Sequence, residues 1–198
     1  MTRNEYTIQE LIKRDVYVGD TKVGVIMGER NHPNTNRVKS MRICVESDIA
    51  DEFMRKPAEM APLSKELVHS IRDDGAVKLS KSMRELQRRW RNTVRIDENL
   101  YAPDEMEDRA VQDNQGDELG VIVGLLKKKR TYRGVKVETR LSVRREFGLP
   151  EMINIPINAF AKTRESLDEV VLSRTISKLL TLPSYIQINE SNFLEEEE

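Results

Sequence analysis

Seven consecutive residues, Lys127-Lys128-Lys129-Arg130-Thr131-Tyr132-Arg133, gather five cations around one aromatic ring. Cations neutralise phosphates and a ring stacks on a base, so this spacing points to RNA or a related polyanion. Arg88-Arg89-Trp90-Arg91 has the same ingredients, and a looser set, Arg30, His32, Arg37 and Lys39, occupies the corresponding loop earlier in the chain. The plainer reading of each is a solvated surface, with Trp90 packed inside rather than displayed.

Catalytic spacings are missing. His32 and His69 lie far apart, and with Cys44 as the one cysteine no metal site of ordinary spacing assembles from local sequence. There is no phosphate-binding glycine loop and no Gly-x-Ser-x-Gly elbow. Cys44 has no basic neighbour to lower its pKa and reads as a bystander thiol. These patterns predict a protein that is not an enzyme and uses neither cofactor nor metal. With 33 basic against 34 acidic side chains, any electrostatic function is local rather than global. A lone cysteine, the want of an N-terminal apolar signal and the shortness of every apolar run predict a cytoplasmic location and no direct membrane insertion.

The elements that must hold these clusters are written twice. Leu79-Ser-Lys-Ser-Met-Arg-Glu-Leu86 is echoed by Leu172-Ser-Arg-Thr-Ile-Ser-Lys-Leu179, and the match extends in both directions. Arg14-Asp15-Val16 answers Arg109-Ala110-Val111, and Val23-Gly24-Val25-Ile26-Met27-Gly28 answers Leu119-Gly120-Val121-Ile122-Val123-Gly124. Met41 to Val45 is set against Thr139 to Val143, Pro62-Leu63-Ser64 against Pro156-Ile157-Asn158, and Val94 to Glu98 against Ile186 to Glu190. The reading is two copies of one module, 7–98 and 104–190, joined by a linker, 99–103. An acidic tail, 191–198, has too little apolar content to pack.

Within each copy the alternation Val135, Val137, Thr139, Leu141, Val143 predicts one half-buried strand, and Gly19-Asp20 and Gly116-Asp117 supply turns ahead of strand-like segments. The repeated octapeptide reads as a strand end running into a short helix, with Ser82-x-x-Glu85 as a capping box. The fold class expected is mainly β: two similar small antiparallel barrels, each with a short C-terminal helix. If Val23, Val25 and Met27 point inward, then Gly24, Ile26 and Gly28 point out, as do Gly120, Ile122 and Gly124. That phase predicts an exposed isoleucine framed by bare backbone in both copies, a surface for barrel-on-barrel contact or a dimer of chains.

The segments Leu11 to Val18, Val23 to Ile26 and Val77-Lys78-Leu79-Ser80, with Asp108 to Gly124 the closer copy, resemble the PRC-barrel family. The tandem arrangement is similar to archaeal proteins of the CdpB type, which take part in FtsZ-based cell division through SepF. The resemblance implies a non-catalytic adaptor that binds a protein partner such as SepF, located at the division site, with the loops near Arg30, Arg37 and Lys127 to Arg133 as contacts. The alternative it implies is an RNA- or ribosome-associated maturation factor like the PRC-barrel part of RimM.

Overall fold

The computed structural model describes residues 6–160 and 169–190. The acidic tail 191–198 therefore lies outside the described residues. The chain is mainly β and forms two compact units, Met1–Glu105 and Met106–Glu198.

In the first unit the elements run β1 (Asp15–Val18), β2 (Thr21–Asn31), β3 (Val38–Val45), α1 (Ser47–Phe53), β4 (Met60–Leu63) and a 3-10 turn (Lys65–Leu67). Then come β5 (Val68–Ile71), β6 (Val77–Leu79), α2 (Met83–Arg91), β7 (Val94–Ile96) and β8 (Asn99–Tyr101). They make one sheet in the order β5-β6-β1-β2-β3-β4-β8-β7. A short helix, α3 (Pro103–Met106), precedes β9 (Ala110–Gln112), β10 (Glu118–Lys128), β11 (Thr131–Thr139), α4 (Leu141–Phe147) and β12 (Met152–Pro156). A 3-10 turn (Ile157–Ala159), β13 (Glu169–Val171), α5 (Ile176–Leu180) and α6 (Pro183–Glu190) complete the second unit, whose sheet reads β13-β9-β10-β11-β12.

The two sheets share one topology. In each, the first strand lies antiparallel to the long second strand and parallel to the strand of the repeated octapeptide, Val16 opposite Val77 and Val111 opposite Val170. A left-handed residue precedes that first strand in both, Lys13 at φ 66° and Asp108 at φ 62°. Each donates its N–H to the equivalent isoleucine, Lys13 to Ile26 O at 2.7 Å and Asp108 to Ile122 O at 2.9 Å. The octapeptides also sit alike. Leu79 pairs with Val68 and Leu172 with Phe160, and Ser80 and Ser173 each donate N–H at 2.8 Å, to Leu67 O and Ala159 O. A helix then follows in both: Ser82 and Glu85 form the expected capping box on α2, and Leu86, Ile176 and Leu179 are buried.

Neither sheet closes into a barrel. Yet neither can be flat. Between β4 and β5 lie five strand spacings, about 24 Å if laid out in a plane. The chain crosses from Leu63 to Val68, a reach of at most about 19 Å, so the sheet must roll to bring its edges together. Pro156 and Phe160 impose the same roll on the second unit.

Several register expectations need correction. The ladders match Ile43 with Val137, since each faces its unit's buried isoleucine, Ile26 or Ile122, whereas residue matching had set Ile43 against Leu141. The alternation seen from Val135 to Val143 is not one strand: β11 ends at Thr139 and α4 begins at Leu141. Leu141 and Val143 continue the alternation in sequence, but positions two apart fall on opposite sides of a helix, so Val143 is buried and Leu141 is 57% exposed, and Gly148, left-handed at φ 66°, stops the helix. Val94 to Glu98 and Ile186 to Glu190 are not equivalents either, being strand β7 and helix α6. Asn99–Tyr101, read as part of a linker, is β8, with Leu100 and Tyr101 buried.

Candidate partner-binding surface

At the far end of the β10–β11 hairpin, Lys128 pairs with Thr131, leaving Lys129 and Arg130 as a two-residue turn. Such turns match the strand twist when the first residue has positive φ, and Lys129 takes φ 56°. Lys127, Lys128, Lys129, Arg130 and Arg133 are all exposed. Tyr132 is half-buried, and the Lys127 ammonium lies 5.0 Å from its ring centroid, so a lysine of the same hairpin already makes a cation–π contact with that ring. Burial pushes the Tyr132 hydroxyl above its ordinary pKa. The tip is a compact cationic knob held by the longest ladder of the second unit.

The first unit's matching loop is built differently. His32 N–H donates to Arg37 O at 2.7 Å, and His32 Nδ1 accepts from the N–H groups of Asn34 at 3.2 Å and Thr35 at 3.3 Å. His32 thus staples its own loop. Arg37 is exposed, as expected for a contact residue. Arg30 is not.

Arg30 belongs to a buried charged cluster that the sequence reading missed. Arg30 and Arg42 are 8% and 4% exposed, and their guanidinium carbons stand 5.9 and 4.7 Å from the ring centroid of Tyr101. Arg42 Nη1 donates to Leu100 O, and the carboxylate of Glu105 accepts from Ser40 Oγ and from the Ala102 N–H at 2.6 Å. Burial pushes the Glu105 carboxyl up, with Arg42 and Ser40 pulling the other way, and burial lowers the Arg42 guanidinium. A run of four buried residues, Ser40 to Ile43, means that both faces of β3 are covered here. Alternation assumes one wet face, and so it gave no signal.

The glycine-framed isoleucines are also corrected: Ile26 and Ile122 are completely buried. The cause is a pair of bulges repeated in both copies. Val23 and Leu119 are skipped in the ladders to β1 and β9, and Met27 and Val123 in those to β3 and β11. Each bulge shifts the side-chain phase by one residue. Ile26 and Ile122 turn inward, where each contributes about 1.5–3 kcal/mol, and Met27 and Val123 are the exposed apolar side chains, at 53% and 42%. A Cβ on Gly24 would lie 2.2 Å from Cys44 O, and one on Gly120 2.0 Å from Glu138 O, so these two glycines permit close approach of strands. Gly28 and Gly124 meet no such obstacle, the nearest atom to a Cβ on Gly124 being 4.0 Å away. Gly24, Ile26, Gly120 and Ile122 are thus buried rather than outward, while Gly28 and Gly124 stay partly exposed.

Trp90 is buried, donates Nε1–H to Pro62 O at 3.1 Å and tilts on Phe53 with ring centroids 6.1 Å apart. Arg88, Arg89 and Arg91 stay exposed without it. Cys44 is exposed on β3. Among the described residues no group of three or more His, Cys, Asp or Glu could hold a metal ion, and no helix is long and apolar enough to cross a membrane. No family model matches this sequence, and neither does any curated protein.

Proposed function

We propose that the chain is a tandem PRC-barrel protein acting as a non-catalytic adaptor, with protein partners met through the exposed loops of its two units. The rolled sheets, the paired bulges and the short edge-to-edge crossing support the barrel reading. One observation carries the adaptor reading. The features both copies keep, Gly24 and Gly120, Ile26 and Ile122, and the octapeptide corner, serve backbone and core, while the cationic knob at Lys127 to Arg133 belongs to one copy alone. A module repeated for geometry and varied on its surface suits a two-sided connector. Cell division with SepF or FtsZ as partner is the context the family resemblance supplies. The test is direct binding of purified SepF and FtsZ to the full chain and to a variant with Lys127 to Arg130 changed to Gln. Binding that the variant loses supports the proposal, and binding of neither protein removes that context.

A second reading, RNA association, is favoured by the same knob. Five exposed cations predict affinity that falls steeply with salt. An RNA-binding isotherm that is flat between 50 and 200 mM salt, roughly the range over which phosphate contacts weaken, would exclude it.

A further inference from the structure

Helix α2 carries a surface that neither core packing nor the partner loops use. Arg84, Arg88 and Arg91 follow one another at intervals of four and three residues, so at 3.6 residues per turn they form one row about 10 Å long. Leu86 and Trp90, the buried residues of α2, lie on the opposite side. All three arginines are exposed, and among the described residues neither their side chains nor that of Arg89 has a hydrogen-bond or ion-pair partner. The one acid of the helix, Glu85, is engaged by the Ser82 cap and by Lys81 at 3.5 Å.

Helix stability does not account for the row. Cations suit the last turn, which holds Arg88, Arg89 and Arg91, but Arg84 sits in the first turn, where the unbonded N–H groups disfavour positive charge. The second copy builds the same corner without it: α5 and α6 contain no arginine and a single lysine, Lys178. The fold then adds cations from elsewhere in the chain. Arg95, on the strand after α2, donates from Nη1 to Lys56 O at 2.6 Å and from Nη2 to Pro57 O at 2.8 Å, and the Phe53 ring meets that of Trp90. Arg55 and Lys56, both exposed, are thereby held near the C-terminal end of α2. Glu52 and Glu59 flank that loop, and among the described residues neither carboxylate pairs with a cation.

What the patch lacks narrows its ligand. Trp90 is buried with its Nε1–H on Pro62 O, and neither α2 nor the stretch 54–57 contributes an exposed large apolar side chain. A single strand needs a ring to stack on and a protein partner needs an apolar anchor, whereas a duplex backbone asks only for cations. The row compares in length with the ~12 Å major groove of B-form DNA, which admits a helix, while A-form RNA closes its major groove to side chains. We propose that the arginine row of α2, with Arg55 and Lys56 at its end, binds the phosphates of double-stranded DNA without regard to sequence. This site is separate from the Lys127 to Arg133 knob and goes beyond the partner-binding reading.

The test uses the full chain and a fluorescent DNA duplex of arbitrary sequence, with anisotropy read between roughly 50 and 200 mM salt. Three phosphate contacts alone predict an affinity loss of about 40-fold over that range. Arg84→Gln, Arg88→Gln and Arg91→Gln together should flatten the salt slope by about 3 and weaken all sequences alike. Arg84→Gln alone should weaken binding while leaving Tm unchanged or higher, which a structural role would not do. Should the triple variant lose its circular dichroism signal, Arg55→Gln with Lys56→Gln, outside every helix, takes its place and should remove about 2 from the slope. A duplex that does not bind, or binds the variants as well as the natural chain, overturns the proposal. So does tighter binding of duplex RNA, of the single strand or of a polyglutamate peptide. Binding indifferent to α2 but lost on neutralising Lys127 to Arg130 would assign the nucleic acid to the knob, against this site and with the RNA reading left standing.

Discussion

Gly120→Ala places one methyl group in the tightest backbone contact of the second unit. The new Cβ would lie 2.0 Å from Glu138 O, 2.9 Å from Glu138 C and 3.0 Å from Thr139 Cα, whereas an ordinary contact begins near 3.4 Å. Every obstacle is backbone, so no rotamer change relieves it. The strands β10 and β11 must part by more than about 1 Å, which takes ladder bonds near Gly120 and Thr139 beyond hydrogen-bonding distance. Losing about two such bonds in a buried setting costs roughly 2–4 kcal/mol, or a fall in Tm of about 10–30 °C for a unit of this size. Urea denaturation followed by far-ultraviolet circular dichroism measures this, with Gly124→Ala as the control. That control has 4.0 Å to its nearest neighbour and should be neutral or slightly stabilising. A Gly120→Ala protein within about 0.5 kcal/mol of the wild type would refute the close-approach argument, and with it the account of why both copies carry glycine there.

Removing the cap by Ser82→Ala should cost about 1 kcal/mol, read from the unfolding of the first unit by Trp90 fluorescence. The capping hydrogen bonds from Ser82 hold the Glu85 carboxyl below its ordinary pKa, so its contribution is present above the unfolded pKa and lost as pH falls through the lower folded value. Glu85→Gln should abolish that part of the acid slope. Glu105→Ala leaves two buried guanidiniums without the carboxylate beside them and should destabilise by about 3–5 kcal/mol in denaturant. Asn189→Ala deletes both bonds to the Asn154 backbone, for which a loss of about 1–3 kcal/mol and faster exchange of the Asn154 amide are expected.

The duplication was legible because it is carried by residues with few substitutes: glycines under a carbonyl, a leucine at the end of the octapeptide's strand, and a serine or threonine at the helix N-cap position, where Ser82 alone of the two makes a side-chain cap. The octapeptide corner could be read as strand-to-helix from its capping box and apolar spacing alone. The facing of Ile26 and Ile122 could not, because a bulge adds one residue without any composition signal, and alternation counted across it comes out inverted. The start of α4 was hidden because Leu141 and Val143 extend the two-residue period of β11 in sequence, although on the helix only Val143 is buried. Gly148 was the available sign. Arg30 and Arg42 look like surface residues in sequence, and only the ring of Tyr101, far along the chain, shows where they go. The exposed cations from Lys127 to Arg133 lie where their hydrophilicity placed them, since nothing in the hairpin competes for them.

The bulge at Val123 has a consequence for how such a module can change. In the ladder to β11, Ile122 lies opposite Val137 and Leu125 opposite Val135, so the bulge sets two residues three apart in sequence on one face of β10. Deleting Val123 would restore the plain two-residue period and leave each side chain from Gly124 toward the tip facing as before, removing only the local kink. An unpaired residue of this kind is therefore one the module can lose without re-aiming its cationic tip. The direction in which the knob presents its charge is held by pairing with β11.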